Sequence, residues 1–168
     1  QFENKWEKME NSVVNKILDL FFQKDYSEFY EYYNLDWKKN KWLRISNFSE
    51  FNFVEEIINK DLKKVNEFYE VGDFITFLIY NEGDFFGNHV DGPSYSSNKS
   101  NTVLTGGYLL NTDFKGGDFI IENKKLSTGI GELFLFGRND WHEVKEVTSG
   151  IRYSLHFAIN ENKPKGLI

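Results

Sequence analysis

The chain has 168 residues, 40% of them apolar and 27% charged, with a formal net charge of −6. That is the make-up of one ordinary folded domain, it excludes a disordered chain, and it argues against a nucleic-acid partner, whose phosphates need a basic surface. With no cysteine, disulfide scaffolds, cysteine-held zinc, iron–sulfur clusters and thiol nucleophiles are excluded, and no apolar run approaches the ~18 residues of a membrane span, so a soluble protein with no membrane partner, cytoplasmic by default, is expected.

The chain changes texture near Glu70. Before it, Val13, Val14, Ile17, Leu18, Phe21 and Phe22 recur at three- and four-residue steps and predict a helix with one buried face. A second helix is predicted from Phe53 to Tyr69, carrying Val54, Ile57, Ile58, Leu62, Val65 and Phe68 on one side, with a short strand at Trp42-Leu43-Arg44-Ile45 between them. Tyr30, Tyr32 and Tyr33 read either as packing or as a surface that meets a substrate chain. After Gly72 the pattern is that of strands: Asp73–Tyr80, Val103–Leu110, Asp118–Glu122, Glu132–Phe136, His142–Val147 and Ile151–Ile159, punctuated by Gly, Asn and Asp. Many short strands at close spacing predict a sandwich or barrel. With 17 Phe and 9 Tyr in the chain, much of the core must be ring packing. The economical reading is one domain over 1–168: a helical support region at 1–70 and an antiparallel β-barrel core at 71–160.

The chain has three histidines, His89, His142 and His156. His89 and Asp91 stand two residues apart, so in extended chain they point to the same face and can chelate one cation. His142 opens a later strand and is expected to supply a third ligand from across the barrel. Two imidazoles and a carboxylate with the remaining positions open form the facial arrangement of non-haem iron(II) oxygenases. Arg152 and Ser154 share a face ten residues further on. The Arg fork pairs with both oxygens of a carboxylate, and an unpaired Arg in so apolar a segment is costly, so Arg152 calls for an anion: an acidic side chain or a dicarboxylate ligand. His156 shares that face and reads as a core residue rather than a ligand. Gly92–Asn101 reads as a polar loop at the barrel mouth, either a lid or a plain connector, and Trp141 as an aromatic wall or as packing.

These residues resemble a known family. Tyr80-Asn81-Glu82-Gly83-Asp84-Phe85-Phe86-Gly87-Asn88-His89-Val90-Asp91, Tyr108-Leu109-Leu110-Asn111 with Phe114-Lys115-Gly116-Gly117-Asp118, Gly131–Phe136, His142-Glu143-Val144 and Val147–Tyr153 are similar to the core of the 2-oxoglutarate/iron(II)-dependent dioxygenases, in the prolyl 4-hydroxylase-like branch. The resemblance covers about half the chain. It implies a double-stranded β-helix, or jelly roll, buttressed by N-terminal helices. It implies Fe(II) held by His89, Asp91 and His142, and 2-oxoglutarate as cosubstrate with O2. It places Arg152, with Ser154 assisting, on the distal carboxylate of 2-oxoglutarate and Tyr80 in the cosubstrate pocket. Ascorbate is implied as a supporting reductant, and the Asp91 carboxylate argues against a halogenase. In one respect the chain departs from the family. Many prolyl hydroxylases place a cosubstrate-binding tyrosine where this chain has Leu109, and here the tyrosine is Tyr108, one step earlier and therefore on the other strand face.

The leading expectation is thus a hydroxylase acting on a prolyl residue of a peptide or protein. The same chemistry on a lysyl residue, a free amino acid or another small molecule is a second reading. A catalytically silent jelly-roll binding module is a third, and a cupin-like hydrolase or isomerase with another metal is a fourth.

Overall fold

The computed structural model describes residues 7–91 and 101–164. Val14, Ile17 and Phe21, spaced three and four apart, are the buried stripe of α1 (Asn11–Gln23). Each such side chain taken out of water contributes roughly 1.5–3 kcal/mol, and Phe21 also stacks on Phe77 with ring centroids 4.3 Å apart. A hairpin follows, β1 (Glu31–Asn34) and β2 (Lys38–Arg44), and then α2 (Asn52–Val65). That helix stops four residues short of the predicted end. Asn66 leaves the helical conformation while its N–H still bonds the Leu62 carbonyl, and its side-chain oxygen accepts from the Phe68 N–H. The segment read as helical support therefore also supplies two strands.

The remaining strands are β3 (Tyr69–Tyr80), β4 (Phe85–His89), β5 (Thr102–Leu109), β6 (Lys115–Gly116), β7 (Phe119–Ile121), β8 (Lys124–Lys125), β9 (Leu133–Gly137), β10 (His142–Val144), β11 (Val147–Ser149) and β12 (Arg152–Glu161). The large sheet runs β8-β7-β10-β4-β2-β3-β12-β5-β9, with β1 on the free side of β2, and β6 pairs with β11 separately. Every pairing among these strands is antiparallel. The sheet curls until Thr105 of β5 hydrogen-bonds Asp91, just past β4. This is the expected jelly roll with its two helices outside.

Strand alternation sorts the core into two parts. On β3, Ile75, Phe77 and Ile79 face the helices, together with Leu155 and Phe157 of β12. The alternate positions, Thr76, Leu78 and Tyr80 on β3 with Arg152, Ser154 and His156 on β12, form the inner face, against Phe119, Phe134 and Phe136. Gly107 of β5 lies opposite His156. A Cβ there would stand 2.5 Å from both the Leu155 carbonyl oxygen and the Phe134 ring, so only glycine lets β12 and that ring approach so closely. Among the described residues no helix is long and apolar enough to cross a membrane.

Candidate metal centre

β4 delivers His89, and the chain just beyond it delivers Asp91. His142 does not reach them from across the barrel as expected. It sits on the adjacent strand β10, in register opposite His89, because β10 and β4 are neighbours in the curled sheet. The two rings have centroids 4.1 Å apart. His142 Nε2 stands 3.2 Å from Asp91 Oδ1 and His89 Nε2 stands 3.7 Å from it. One ligand atom from each residue falls within a 4.8 Å group.

The hydrogen bonds behind these atoms determine which nitrogen is free. His89 Nδ1 is 2.7 Å from the Gly87 carbonyl and His142 Nδ1 is 2.9 Å from the Asp140 carbonyl. A carbonyl can only accept, so each Nδ1 carries the proton and each Nε2 presents a bare lone pair. Burial, with the neighbouring His142, pushes the His89 pKa down to about 4, so that ring is neutral near pH 7. Burial alone would raise the Asp91 carboxyl, but the close His142 and Thr105 side chains outweigh it and hold the carboxyl below its usual range. Asp91 Oδ2 is occupied by the Thr105 hydroxyl, which donates at 2.7 Å. Two lone pairs and an anionic oxygen thus converge with their protons turned away. Such a donor set repels itself unless a cation sits among it, and its nitrogen–oxygen chemistry suits a divalent transition metal.

The centre opens into a cavity of about 530 Å³ whose walls include Tyr80, Phe86, Phe119, Val144 and His156. Arg152 lies behind this wall. Its guanidinium carbon is 5.8 Å from the Tyr80 ring centroid and 5.9 Å from that of Phe119, and it also borders a second cavity of about 440 Å³ lined by Leu109 and Phe119. Arg152 is buried, and its one hydrogen bond among the described residues runs from Nη1 to Ser154 Oγ, at 3.2 Å. Its Nε and the Tyr80 hydroxyl are buried without a partner. Burial lowers the Arg152 pKa and raises that of Tyr80. No described carboxylate forms an ion pair with Arg152. A buried guanidinium and a phenol left open in this way fit an incoming carboxylate.

The other candidates sort themselves by face. Tyr108 points away from the cavity and donates to Asp61 Oδ2 at 2.8 Å. Leu109, next along, faces the second cavity. His156 stays outside the three-ligand group, buried, with Nε2 unpartnered and its pKa pushed down to about 3, chiefly by burial. Trp141 is half exposed, its N–H bonded to Glu122, and it forms no wall of the metal cavity. Of the three tyrosines, Tyr30 packs near Phe21, Tyr32 is exposed and Tyr33 lines the cavity. Of the predicted mouth loop, residues 92–100 lie outside the described residues.

Sequence reasoning missed two groups of residues. Thr105 carries no motif and could be found only through the curl of the sheet. In the row Lys38, Trp42 and Arg44 on β2, which lines the cavity, the spacing of Trp42 and Arg44 predicts only a short strand, and Lys38 carries no signal of its own.

A family model described as the 2OG-Fe(II) oxygenase superfamily matches residues 75–160. A PKHD-type hydroxylase of Prochlorococcus marinus is 34% identical over 71 residues, 40% of this chain and 32% of that protein; the match therefore spans about a third of the relative's length. Among solved structures, a prolyl-4-hydroxylase of Pseudomonas putida has a TM-score of 0.71 at 14% identity, covering 97% of this chain and 92% of that one. A prolyl hydroxylase of Trichoplax adhaerens, in complex with a hypoxia inducible factor oxygen degradation domain peptide fragment, has a TM-score of 0.68 at 19% identity, covering 96% and 83%. At these identities the likeness to the solved structures is one of fold.

Proposed function

Since this chain belongs to the 2OG-Fe(II) oxygenase superfamily, whose family model matches residues 75–160, we propose that it is an Fe(II)- and 2-oxoglutarate-dependent dioxygenase that hydroxylates a prolyl residue of a peptide or protein. The observation that carries the reading is the convergence of His89, Asp91 and His142, with both Nδ1 protons held by backbone carbonyls. These three residues would hold the iron. When bound, iron and 2-oxoglutarate supply the oxidation: the cosubstrate leaves as succinate and carbon dioxide, one atom of O2 enters succinate and the other enters a substrate C–H bond.

The chain's own residues bind, orient and shield. Arg152 takes the distal carboxylate of 2-oxoglutarate, with Ser154 fixing the guanidinium through its hydroxyl. Tyr80 donates its free hydroxyl to the same ligand, the role that Leu109 cannot fill. Thr105 holds Asp91 in one orientation, and the carbonyls of Gly87 and Asp140 do the same for the two imidazoles. Such supporting bonds set ligand orientation and basicity. Phe86, packed face to face on His89 at 3.6 Å, and Phe136, 4.4 Å from His142, help to keep water from the ligand atoms. In this reading 71–160 is the catalytic core. The prolyl substrate is supported by the names of the solved relatives and by the peptide bound to one of them.

The test is succinate release from 2-oxoglutarate with Fe(II) and ascorbate, followed by mass spectrometry of proline-containing peptides for the gain of one oxygen, with lysine-containing peptides and free amino acids as the other arms. Wild type is expected to release succinate and His142→Ala is not. Equal inertness of both, with no binding of 2-oxoglutarate, would exclude the oxygenase.

A further inference from the structure

We propose that Arg44, with Trp42 and Lys38 beside it on β2, is a substrate-recognition site for a carboxylate, separate from the cosubstrate anchor at Arg152. The inference rests on the oxygenase reading above and adds to it the chemistry of what is oxidised.

The three side chains stand at even positions of β2, with the buried Asn40 between Lys38 and Trp42, and all three line the metal cavity. Arg44 lies against Phe74, its guanidinium carbon 3.7 Å from the ring centroid, and 5.1 Å from the Trp42 ring. These rings hold the faces of the guanidinium and leave its N–H edge to find acceptors. No described carboxylate forms an ion pair with Arg44, and its Nε is buried without a partner. The Trp42 indole N–H, two residues away on the same face, is buried and unpartnered as well. The Lys38 ammonium completes the row, 3.7 Å from the Tyr33 ring centroid and 4.1 Å from that of Phe86. The row thus offers two buried N–H donors without partners and two positive charges without an ion pair among the described residues, Lys38 alone feeling the Asp91 carboxylate across the cavity. Buried N–H donors without acceptors are costly, and the two half-buried cations beside them draw in negative charge. An anionic acceptor in the cavity satisfies both, and the planar carboxylate matches the Arg edge.

The site cannot be the same as the cosubstrate anchor. Arg44 pairs with Thr76 on β3, while Arg152 pairs with Tyr80. Those two positions are four residues apart, ~13 Å along a strand. Thr76 in turn lies opposite His156, whose ring borders the metal cavity. One guanidinium therefore serves a ligand behind Tyr80 and the other serves the open part of the cavity.

The carboxylate can belong to an acidic side chain of a peptide or to the terminus of a free amino acid or chain end. Calorimetry distinguishes them on the whole chain loaded with Mn(II) and saturating 2-oxoglutarate, a state that binds without turning over. One probe pair is acetyl-Glu-Pro-amide against acetyl-Gln-Pro-amide, and the other is acetylproline against acetylprolinamide. In at least one pair the carboxylate is expected to bind ten-fold or more tightly than its amide. Arg44→Gln should reduce that preference to under two-fold while leaving 2-oxoglutarate affinity within two-fold of wild type. If Arg44→Gln loses 2-oxoglutarate binding through misfolding, Trp42→Phe takes its place and should cut the preference at least three-fold. The proposal is overturned if wild type treats carboxylate and amide alike in both pairs, binding neither included, or if the substituted protein keeps the full preference. Failure of wild type to bind 2-oxoglutarate with Mn(II) overturns the oxygenase reading and this inference together, whereas normal 2-oxoglutarate binding without discrimination overturns this inference alone.

Discussion

The Tyr108 hydroxyl donates to Asp61 Oδ2 at 2.8 Å, tying the outer face of β5 to α2 and turning away from the metal cavity. The tyrosine of the middle strand is thus a structural residue here. The phenol on the inner face is that of Tyr80, beside Arg152, and its hydroxyl has no partner.

The two tyrosines should therefore part company on truncation. Tyr108→Phe leaves Asp61 buried, its carboxyl already pushed up by burial, and should cost about 1–3 kcal/mol of stability with 2-oxoglutarate affinity unchanged. Tyr80→Phe removes a hydroxyl with no partner, so it should leave the urea midpoint nearly unchanged and weaken 2-oxoglutarate several-fold by calorimetry. The opposite assignment of effects would show that Tyr108 serves the cosubstrate after all.

Thr105→Val keeps the shape of the side chain and removes the hydroxyl that holds Asp91. Loss of such a supporting bond typically lowers metal affinity about 10–100-fold. Competition with a chromophoric chelator measures it, and an unchanged metal affinity would mean that the aspartate is oriented by something else.

His156 makes the metal-free protein sensitive to acid. Its folded pKa, about 3, lies below the ordinary 6.5, so the unfolded chain binds the extra proton first as pH falls. Its contribution is present in full above pH 6.5 and is lost as pH falls toward 3, about 2 kcal/mol of it between pH 7 and pH 5. Urea unfolding of the metal-free chain at those two pH values reads this loss. His156→Gln should remove about half of the difference, because His89, its pKa pushed down to about 4, contributes a similar loss, and an undiminished slope in the variant would assign the acid sensitivity to other groups.

Gly107→Ala should be strongly destabilising for a change of one methyl. The new Cβ would press on the Leu155 carbonyl oxygen and the Phe134 ring, each at 2.5 Å, and overpacking of this kind costs about 1–3 kcal/mol or more. A thermal melt within a degree of wild type would show that β5 and β12 part more easily than their packing implies.

Much of the centre was legible before any folding. A two-residue spacing puts His89 and Asp91 on one side of an extended chain wherever that chain runs, and the same rule pairs Arg152 with Ser154, which do bond each other. The helix stripes were equally local: Val14, Ile17, Phe21, Ile58 and Leu62 are all buried, whereas Phe22, expected on the same face, is exposed. The placing of His142 across the barrel was wrong because strand order is not a local property. β10 comes far later in the chain than β4 and yet lies next to it. Trp141 stands just before β10 as its position in the chain requires, but its ring is neither wall nor packing: the Glu122 side chain holds its backbone N–H and the ring is half exposed.

By itself, then, the sequence determined which side chains share a face, which segments bury a stripe, and which residue types could meet a metal and a carboxylate, because those follow from the 2.0 and 3.6 residue periods of the backbone. Only the tertiary structure decided that His142 stands opposite His89, that Thr105 closes the curl onto Asp91, that Tyr80 and not Tyr108 faces inward beside Arg152, and that Lys38, Trp42 and Arg44 share a cavity wall with no ion pair to either cation among the described residues. Those are relations between strands distant in the chain, set by the registers through which the curled sheet satisfies its backbone hydrogen bonds and buries its rings, and no spacing within a single segment encodes them.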